Sequence, residues 1–340
     1  MTKRDIFEGE DIIQIEDSEK YLGDIVTNDG KNDKNIISRE NRGRGITRDL
    51  LATLVEMLAG GEHHELGIIL RNSILISSLL SNAESWYNVT SANIVMLEKV
   101  DEHMLRGILN APRMTPRALL YLELGCLPVR FVIQSKRLMF LHYILSQKED
   151  SLIKKFFYAQ IENSSKTDWT SQVERDCKEL KITLNHEEIK SMSKNMFKNY
   201  VTKQVESGAL TYLKSMIKSK GQEIKYTHIE MQDYLRTEAN IKISEKQNIF
   251  KMRSRTIDIK ENMKRKNMNF ECKACKQIGK IKKETQKHVY KCKQLNNYDK
   301  YITNIKYKDI FGNNIGKMKQ VMTRMNKNLI TRKNINEKQS

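Results

Sequence analysis

Only three prolines, Pro112, Pro116 and Pro128, interrupt the 340 residues of this chain. Proline removes a backbone donor and clashes with the preceding helical turn. Its scarcity therefore leaves room for long helices and argues against a sandwich of short, turn-rich strands. The apolar pattern agrees. Leu50, Leu51, Leu54, Val55 and Leu58 recur at helical spacing, and Gly60-Gly61 follows as a stop. Ile68, Ile69, Leu75, Ile76, Leu79 and Leu80 form a second stripe. A third holds Leu97, Val100, Met104, Leu105, Ile108 and Leu109, with Ser91 as N-cap and Pro112 as the stop. Thr115-Pro116 opens a short helix that Gly125 closes. Pro128 starts a longer one with Phe131, Leu138, Phe140, Leu141, Ile144 and Leu145. Residues 10–26 mix β-branched and polar residues as two short strands would, and Thr27-Asn28-Asp29-Gly30 reads as the following turn.

The expected fold is mainly α. A short β piece occupies residues 1–30, a helical bundle 31–182, a helical connector 183–250, a Cys/His module 251–295 and a basic tail 296–340. Within the tail, Ile315, Met318, Val321, Met322, Met325 and Leu329 mark one amphipathic helix. No apolar run approaches the roughly 20 residues of a membrane span. The N-terminus has no apolar signal core, so an intracellular protein, nuclear or cytoplasmic and not secreted, is expected.

The formal net charge of +18 is unevenly spread. Residues 241–340 carry 27 Lys and Arg against 8 Asp and Glu, whereas the first 240 residues are close to neutral. A basic block of that size is expected to meet a polyanion, and RNA or DNA without sequence preference is the expected partner. The cations expected to reach phosphate are Arg253, Arg255, Lys264, Arg265, Lys266, Lys280, Lys282 and Lys283. The short run Arg42-Gly43-Arg44-Gly45 has the look of a basic flexible segment.

Three of the five cysteines stand in the spacing Cys272-x2-Cys275-x12-His288-x3-Cys292. A two-residue gap lets two sulfurs reach one ion, and a closed Cys3His shell suits structural zinc. His288 and Cys292, four apart, are expected on one helical face, with Gly279 at the turn between the pairs and Glu284-Thr285 before the helix. Lysines 273, 276, 280, 282, 283, 287, 291 and 293 crowd these residues and are expected to lower the thiol pKa values. The stretch is poor in apolar residues, so the ion is expected to supply its folding energy. It lacks the core aromatic and leucine of a base-reading finger.

Elsewhere the chemistry-bearing residues read as structural. His63-His64-Glu65 is expected in a surface loop, Glu98, Lys99, Asp101 and Glu102 on a solvated helix face, and His103 at the core or its boundary. Trp86 is expected to be buried, and Cys126 and Cys177 to be inert thiols. No phosphate-binding glycine loop and no nucleophile elbow is present, so no catalytic residue is assigned.

Four stretches in this order resemble the C-terminal part of the reverse transcriptase of non-LTR (LINE-like) retrotransposons. They are Lys20-Tyr21-Leu22-Gly23-Asp24-Ile25-Val26-Thr27-Asn28-Asp29-Gly30; Asn82-Ala83-Glu84-Ser85-Trp86-Tyr87 with Leu97-Glu98-Lys99-Val100-Asp101; Leu122-Glu123-Leu124-Gly125-Cys126-Leu127-Pro128-Val129-Arg130-Phe131; and Phe250-Lys251-Met252-Arg253-Ser254-Arg255 running into the Cys/His module. The resemblance implies a palm-edge remnant over 1–30, a thumb-like bundle over 31–182 that rests on a template–primer duplex, and a Cys/His region that helps to hold nucleic acid. The family makes DNA on an RNA template through paired aspartates that bind Mg2+. This sequence has no Asp-Asp dipeptide, and only 20 residues precede Tyr21. The expectation is a fragment that grips nucleic acid without extending it. Mg2+ would enter only if a palm domain were supplied. The alternatives are an active enzyme whose palm is encoded upstream, and a helical protein-interaction module.

Overall fold

The structure is a computed structural model. It describes residues 6–8, 11–13, 16–21, 23–57, 63–163, 165–218, 226–257, 259, 271–295 and 305–337. The fold is mainly helical with a small β component at the N-terminus. Two compact units interleave along the chain. Unit 1 gathers Met1–Leu50, Leu70–His103 and Leu127–Thr211, and unit 2 gathers Leu51–Ile69, Met104–Cys126 and Tyr212–Ser340.

In unit 1, two antiparallel hairpins replace the two expected strands: β1 (Ile6–Glu8) with β2 (Asp11–Ile13), and β3 (Ser18–Tyr21) with β4 (Asp24–Thr27). The second hairpin pairs Ser18 with Thr27 and Tyr21 with Asp24, so the chain reverses at Gly23, whose φ of +90° suits glycine. The turn after β4 forms as expected, with the Gly30 amide donating to the Thr27 carbonyl at 3.0 Å.

Helix α1 (Asp33–Met57) follows. Its Arg42-Gly43-Arg44-Gly45 run is helical and not a flexible segment. A Cβ at Gly43 would stand 2.9 Å from a Leu79 methyl and 3.0 Å from a Val100 methyl, so a larger residue there would have to push these buried side chains aside. The first resembling stretch is tied down by the second and by α1. The Asp24 carboxylate accepts from Arg39 (2.6 Å), from Asn35 (2.9 Å) and, by a short bond, from Asn82. Burial alone would raise the Asp24 carboxyl, but the bonds from Asn82, Arg39 and Asn35 outweigh it and hold its pKa below the ordinary value.

Helix α2 (His63–Leu70) forms where a surface loop was expected, and His64 is buried within it. It passes into a π turn (Arg71–Ile76) and then α3 (Ser77–Leu79). Arg71 makes a two-pronged pair with Asp101, Nε–Oδ1 at 2.6 Å and Nη2–Oδ2 at 2.7 Å. Helix α4 (Ser91–Leu109) carries that aspartate. Asp101 and Glu98 are therefore buried and paired, where a solvated face was expected; Glu98 accepts from Arg130 at 2.9 Å. His103 takes the solvent side instead of the core. The six apolar residues of this stripe are all buried, and the cap is Thr90, one residue before the expected Ser91, its hydroxyl accepting from the Asn93 amide at 3.2 Å.

Helix α5 (Arg117–Leu124) and helix α6 (Val129–Leu145) start at the expected prolines. In unit 1, α6 packs on the turn Ala83–Ser85, on α7 (Leu152–Glu162), on α8 (Trp169–Glu179) and on α9 (His186–Ser191). Trp86 is buried, as its sequence context suggests. Helix α10 (Lys194–Lys218) closes this unit with Phe197, Val201 and Val205 buried.

Unit 2 is built on α5, of which Ala118 to Leu124 are all buried. Gly125 ends α5 at φ +68°, and the backbone of Met231 lies where a side chain would go: a Cβ would stand 2.1 Å from the Met231 nitrogen. Leu124 and Met231 form an antiparallel bridge, and the Gln232 amide donates to the Glu123 carbonyl at 3.0 Å. Gly125→Ala combines a left-handed backbone with that clash, so it should lower stability by about 2–3 kcal/mol in a denaturant titration. A change within experimental error would show that this crossing gives way.

Helix α11 (Ile243–Arg253), a short turn over Tyr307–Phe311 and helix α14 (Ile315–Glu337) complete the helical part of unit 2. Helices α12 (Lys273–Lys276) and α13 (Gln286–Lys291) belong to the Cys/His module. The stretch expected to be a basic tail is thus largely structured. Met318, Val321, Met322 and Met325 are buried on the face of α14 that packs on α11, α12 and α13. No single helix among the described residues is long and apolar enough to cross a membrane.

Candidate metal centre

The four residues singled out by spacing meet at one point. One ligand atom from each of Cys272, Cys275, His288 and Cys292 lies within 4.8 Å of every other. Cys275 Sγ stands 3.6 Å from Cys292 Sγ and 3.4 Å from His288 Nε2, and Cys272 Sγ stands 4.0 Å from Cys292 Sγ. A tetrahedral zinc with usual bond lengths needs sulfur–sulfur edges of about 3.8 Å and sulfur–nitrogen edges of about 3.5 Å. These separations fit a single ion, and three sulfurs with one imidazole are a zinc-like donor set. The Cys3His cluster could thus hold a metal ion.

Local sequence builds the cluster. Cys272 precedes the single turn α12, and the Cys275 carbonyl accepts the amides of Ile278 (3.2 Å) and Lys280 (3.0 Å), folding the chain back at Gly279, φ +71°. The Cys272 amide then donates to the Lys282 carbonyl at 2.7 Å, closing a small hairpin with the bridge between Glu271 and Lys283. Thr285 caps α13 by accepting the His288 amide at 3.0 Å. Cys292 does not continue the helical face shared with His288; it is the residue at which α13 ends, with extended ψ of 114°.

The thiols do not behave as the surrounding lysines suggest. Lysines 276, 280, 282, 283, 287, 291 and 293 are all exposed to water. Burial, together with the neighbouring Cys292 and Cys272 sulfurs, pushes the Cys275 thiol up to about 12, and burial likewise raises Cys272. Burial lowers the His288 pKa, which keeps the imidazole neutral and able to donate its lone pair to a metal. Loading an ion therefore displaces thiol protons, and the ion supplies the charge that the lysines do not.

The module is also less isolated than its composition suggests. Val289, Tyr290 and Leu295 are buried. Asn328 of α14 donates to the carbonyls of Val289 (2.8 Å) and Tyr290 (3.3 Å) at the end of α13. Arg332 pairs with the buried Glu284 at 2.9 Å, Arg324 stacks on Tyr290 at 4.7 Å, and Gln286 donates to the Met252 carbonyl at 2.8 Å. These partners are far apart in sequence and carry no spacing signature.

The cations expected to reach phosphate divide. Lys280, Lys282 and Lys283 are exposed on the hairpin. Lys264, Arg265 and Lys266 lie outside the described residues. Arg255 is half-buried with φ +55°. Arg253 is not at the surface. It is about 1% exposed and pairs with the buried Glu123, Nε to Oε1 at 2.8 Å. Its other nitrogens donate to the Ile310 carbonyl (3.0 Å) and to Gln232 Oε1 (3.1 Å), and its guanidinium lies 5.4 Å from the Tyr234 ring. The Tyr226 and Tyr234 hydroxyls donate to the same carboxylate at 2.5 and 2.9 Å. Burial, and then the Glu123 charge, push both phenols well above their ordinary pKa. The sequence holds one cue for this placement, since Arg253 follows Lys246, Ile249 and Phe250 on the buried face of α11.

Cys126 is buried, and Cys177 is a half-buried thiol that burial and then Asp176 raise to about 11, both in keeping with inert thiols. The chain matches no family model, no curated protein and no solved structure.

Proposed function

We propose that this chain binds RNA or DNA without sequence preference, as the thumb and Cys/His region of a non-LTR retrotransposon reverse transcriptase. Its Cys3His centre holds one structural zinc. One observation carries the reading: seven exposed lysines surround a cluster whose four ligand atoms lie within 4.8 Å of one another. A rigid cationic module of this kind suits phosphate, which needs charge and position but no base recognition. The ancestry is supported by how the resembling stretches pair. Asp24 of the first meets Asn82 of the second in unit 1, and Glu123 of the third meets Arg253 of the fourth in unit 2. The polymerase chemistry of that family needs acidic pairs holding Mg2+, and these residues contain no Asp-Asp pair, so binding and not catalysis is assigned to them.

A mobility-shift titration of the full chain tests this. Affinity for a duplex or hybrid should fall about 100-fold or more between 50 and 200 mM salt, similarly for unrelated sequences. Salt-independent binding, or none, rejects the reading. Exposed Leu152 and Phe156, four apart on α7, favour a second reading, a protein partner. A partner captured equally well after nuclease treatment would favour it.

A further inference from the structure

The hairpin of the Cys/His module carries two side chains that the metal centre and its lysines do not explain. Ile281 is 77% exposed and Ile278 is 46% exposed. They flank Gly279 and Lys280, with Lys276, Lys282 and Lys283 also exposed around them. Among the described isoleucines, Ile281 is the most exposed, whereas Ile108 and Ile249 are fully buried. Backbone hydrogen bonds define the tip. It is closed by the bond from the Cys272 amide to the Lys282 carbonyl at 2.7 Å and by those from Ile278 and Lys280 to the Cys275 carbonyl. The first arm of the hairpin carries the ligands Cys272 and Cys275, and its second runs through Lys283 into the helix that holds His288.

The lysines suit an anionic partner, and the isoleucines suit an apolar surface that phosphate cannot offer. Nucleic acid supplies both, with phosphates outside and base faces within reach once a step opens. Apolar side chains such as isoleucine act as wedges between base steps in proteins that enter the minor groove. An anionic membrane also combines charge with an apolar interior. Two isoleucines, however, offer less apolar surface than a single acyl chain, which itself gives only marginal, reversible anchoring. We propose that the tip formed by Ile278 and Ile281, flanked by Lys280, Lys282 and Lys283, is an apolar wedge that enters a base step of double-stranded nucleic acid. This proposal rests on the nucleic-acid reading above and adds to it the part of the ligand that the tip touches. Because the hairpin is already ordered, little conformational freedom is lost on insertion.

The experiment uses the full zinc-loaded chain and a duplex carrying 2-aminopurine at a central TA step, which unstacks readily. Binding should raise the fluorescence of the probe. The variant Ile278→Ala/Ile281→Ala changes only exposed positions and should keep its zinc stoichiometry and circular dichroism. It should bind about tenfold more weakly, with an unchanged salt slope and no fluorescence rise. The variant Lys280→Ala/Lys282→Ala/Lys283→Ala should instead flatten the salt slope by about 0.9 for each phosphate left without its lysine. If the isoleucine variant keeps both the affinity and the fluorescence rise, the wedge is wrong while the nucleic-acid reading stands. If the unaltered chain binds no duplex, the reading beneath it fails as well. Ile281-dependent binding to phosphatidylserine-containing vesicles, with none to the duplex, would assign the tip to a membrane and overturn the proposal.

Discussion

Glu123→Ala should lower the unfolding free energy of unit 2 by about 3–5 kcal/mol, the usual cost of removing one partner from a buried ion pair. The carboxylate is the shared acceptor for Arg253, Tyr226 and Tyr234, and both charged side chains are almost fully buried. Its loss leaves a guanidinium and two hydroxyls without their acceptor in a place water does not reach. Arg253 then keeps only the Ile310 and Gly312 carbonyls and the Gln232 side chain. Urea titration followed by far-UV circular dichroism measures the loss. Tyr226→Phe should cost about 1 kcal/mol, since it removes one hydrogen bond and leaves the charges paired. If Glu123→Ala costs no more than Tyr226→Phe, the buried pair is not what holds α5 to α11.

Removing the metal should have a comparable or larger effect on the module. Metal analysis of the purified chain should give one zinc per molecule, and Cys275→Ser should reduce that to near none. Structural zinc contributes about 10–16 kcal/mol of apparent binding energy in small isolated modules. Here Asn328, Arg332 and Arg324 of α14 already hold α13 and the residues before it, so part of the fold survives without the ion. Stability should drop by more than about 3 kcal/mol, and amide protection should be lost over residues 271–295 before it is lost over α11. A chain that contains no zinc as isolated, or a Cys275→Ser variant with unchanged protection, would remove the metal from this description.

The legible part of the molecule is the part governed by local rules. Helix starts at Pro116 and Pro128, the stop at Gly125 and the apolar stripe of α14 can be read directly, because capping and periodicity act within one or two turns. The metal ligands can be read for the same reason, since their spacing encodes a local reversal. Which charges are buried is far less legible, the spacing of Arg253 from Ile249 and Phe250 being a single cue. Asp101 reads as part of a solvated face and Arg253 as a phosphate contact, yet they pair with Arg71 and Glu123, 30 and 130 positions away. The thiol pKa values escape the sequence for a similar reason. Lysines adjacent in sequence point to water, and burial decides the shift. Gly43 reads as a flexible residue between arginines, and only its distance from Leu79 and Val100 shows that a larger side chain would crowd the core.

The pairing of Glu123 with Arg253 sets a schedule for biosynthesis. The acid is made 130 residues before its cation. At roughly 5–20 residues per second, a ribosome takes on the order of 10 s to supply the missing arginine. During that interval the nascent α5 carries a carboxylate whose cation has not yet been made, so the buried pair can close only after α11 has left the ribosome.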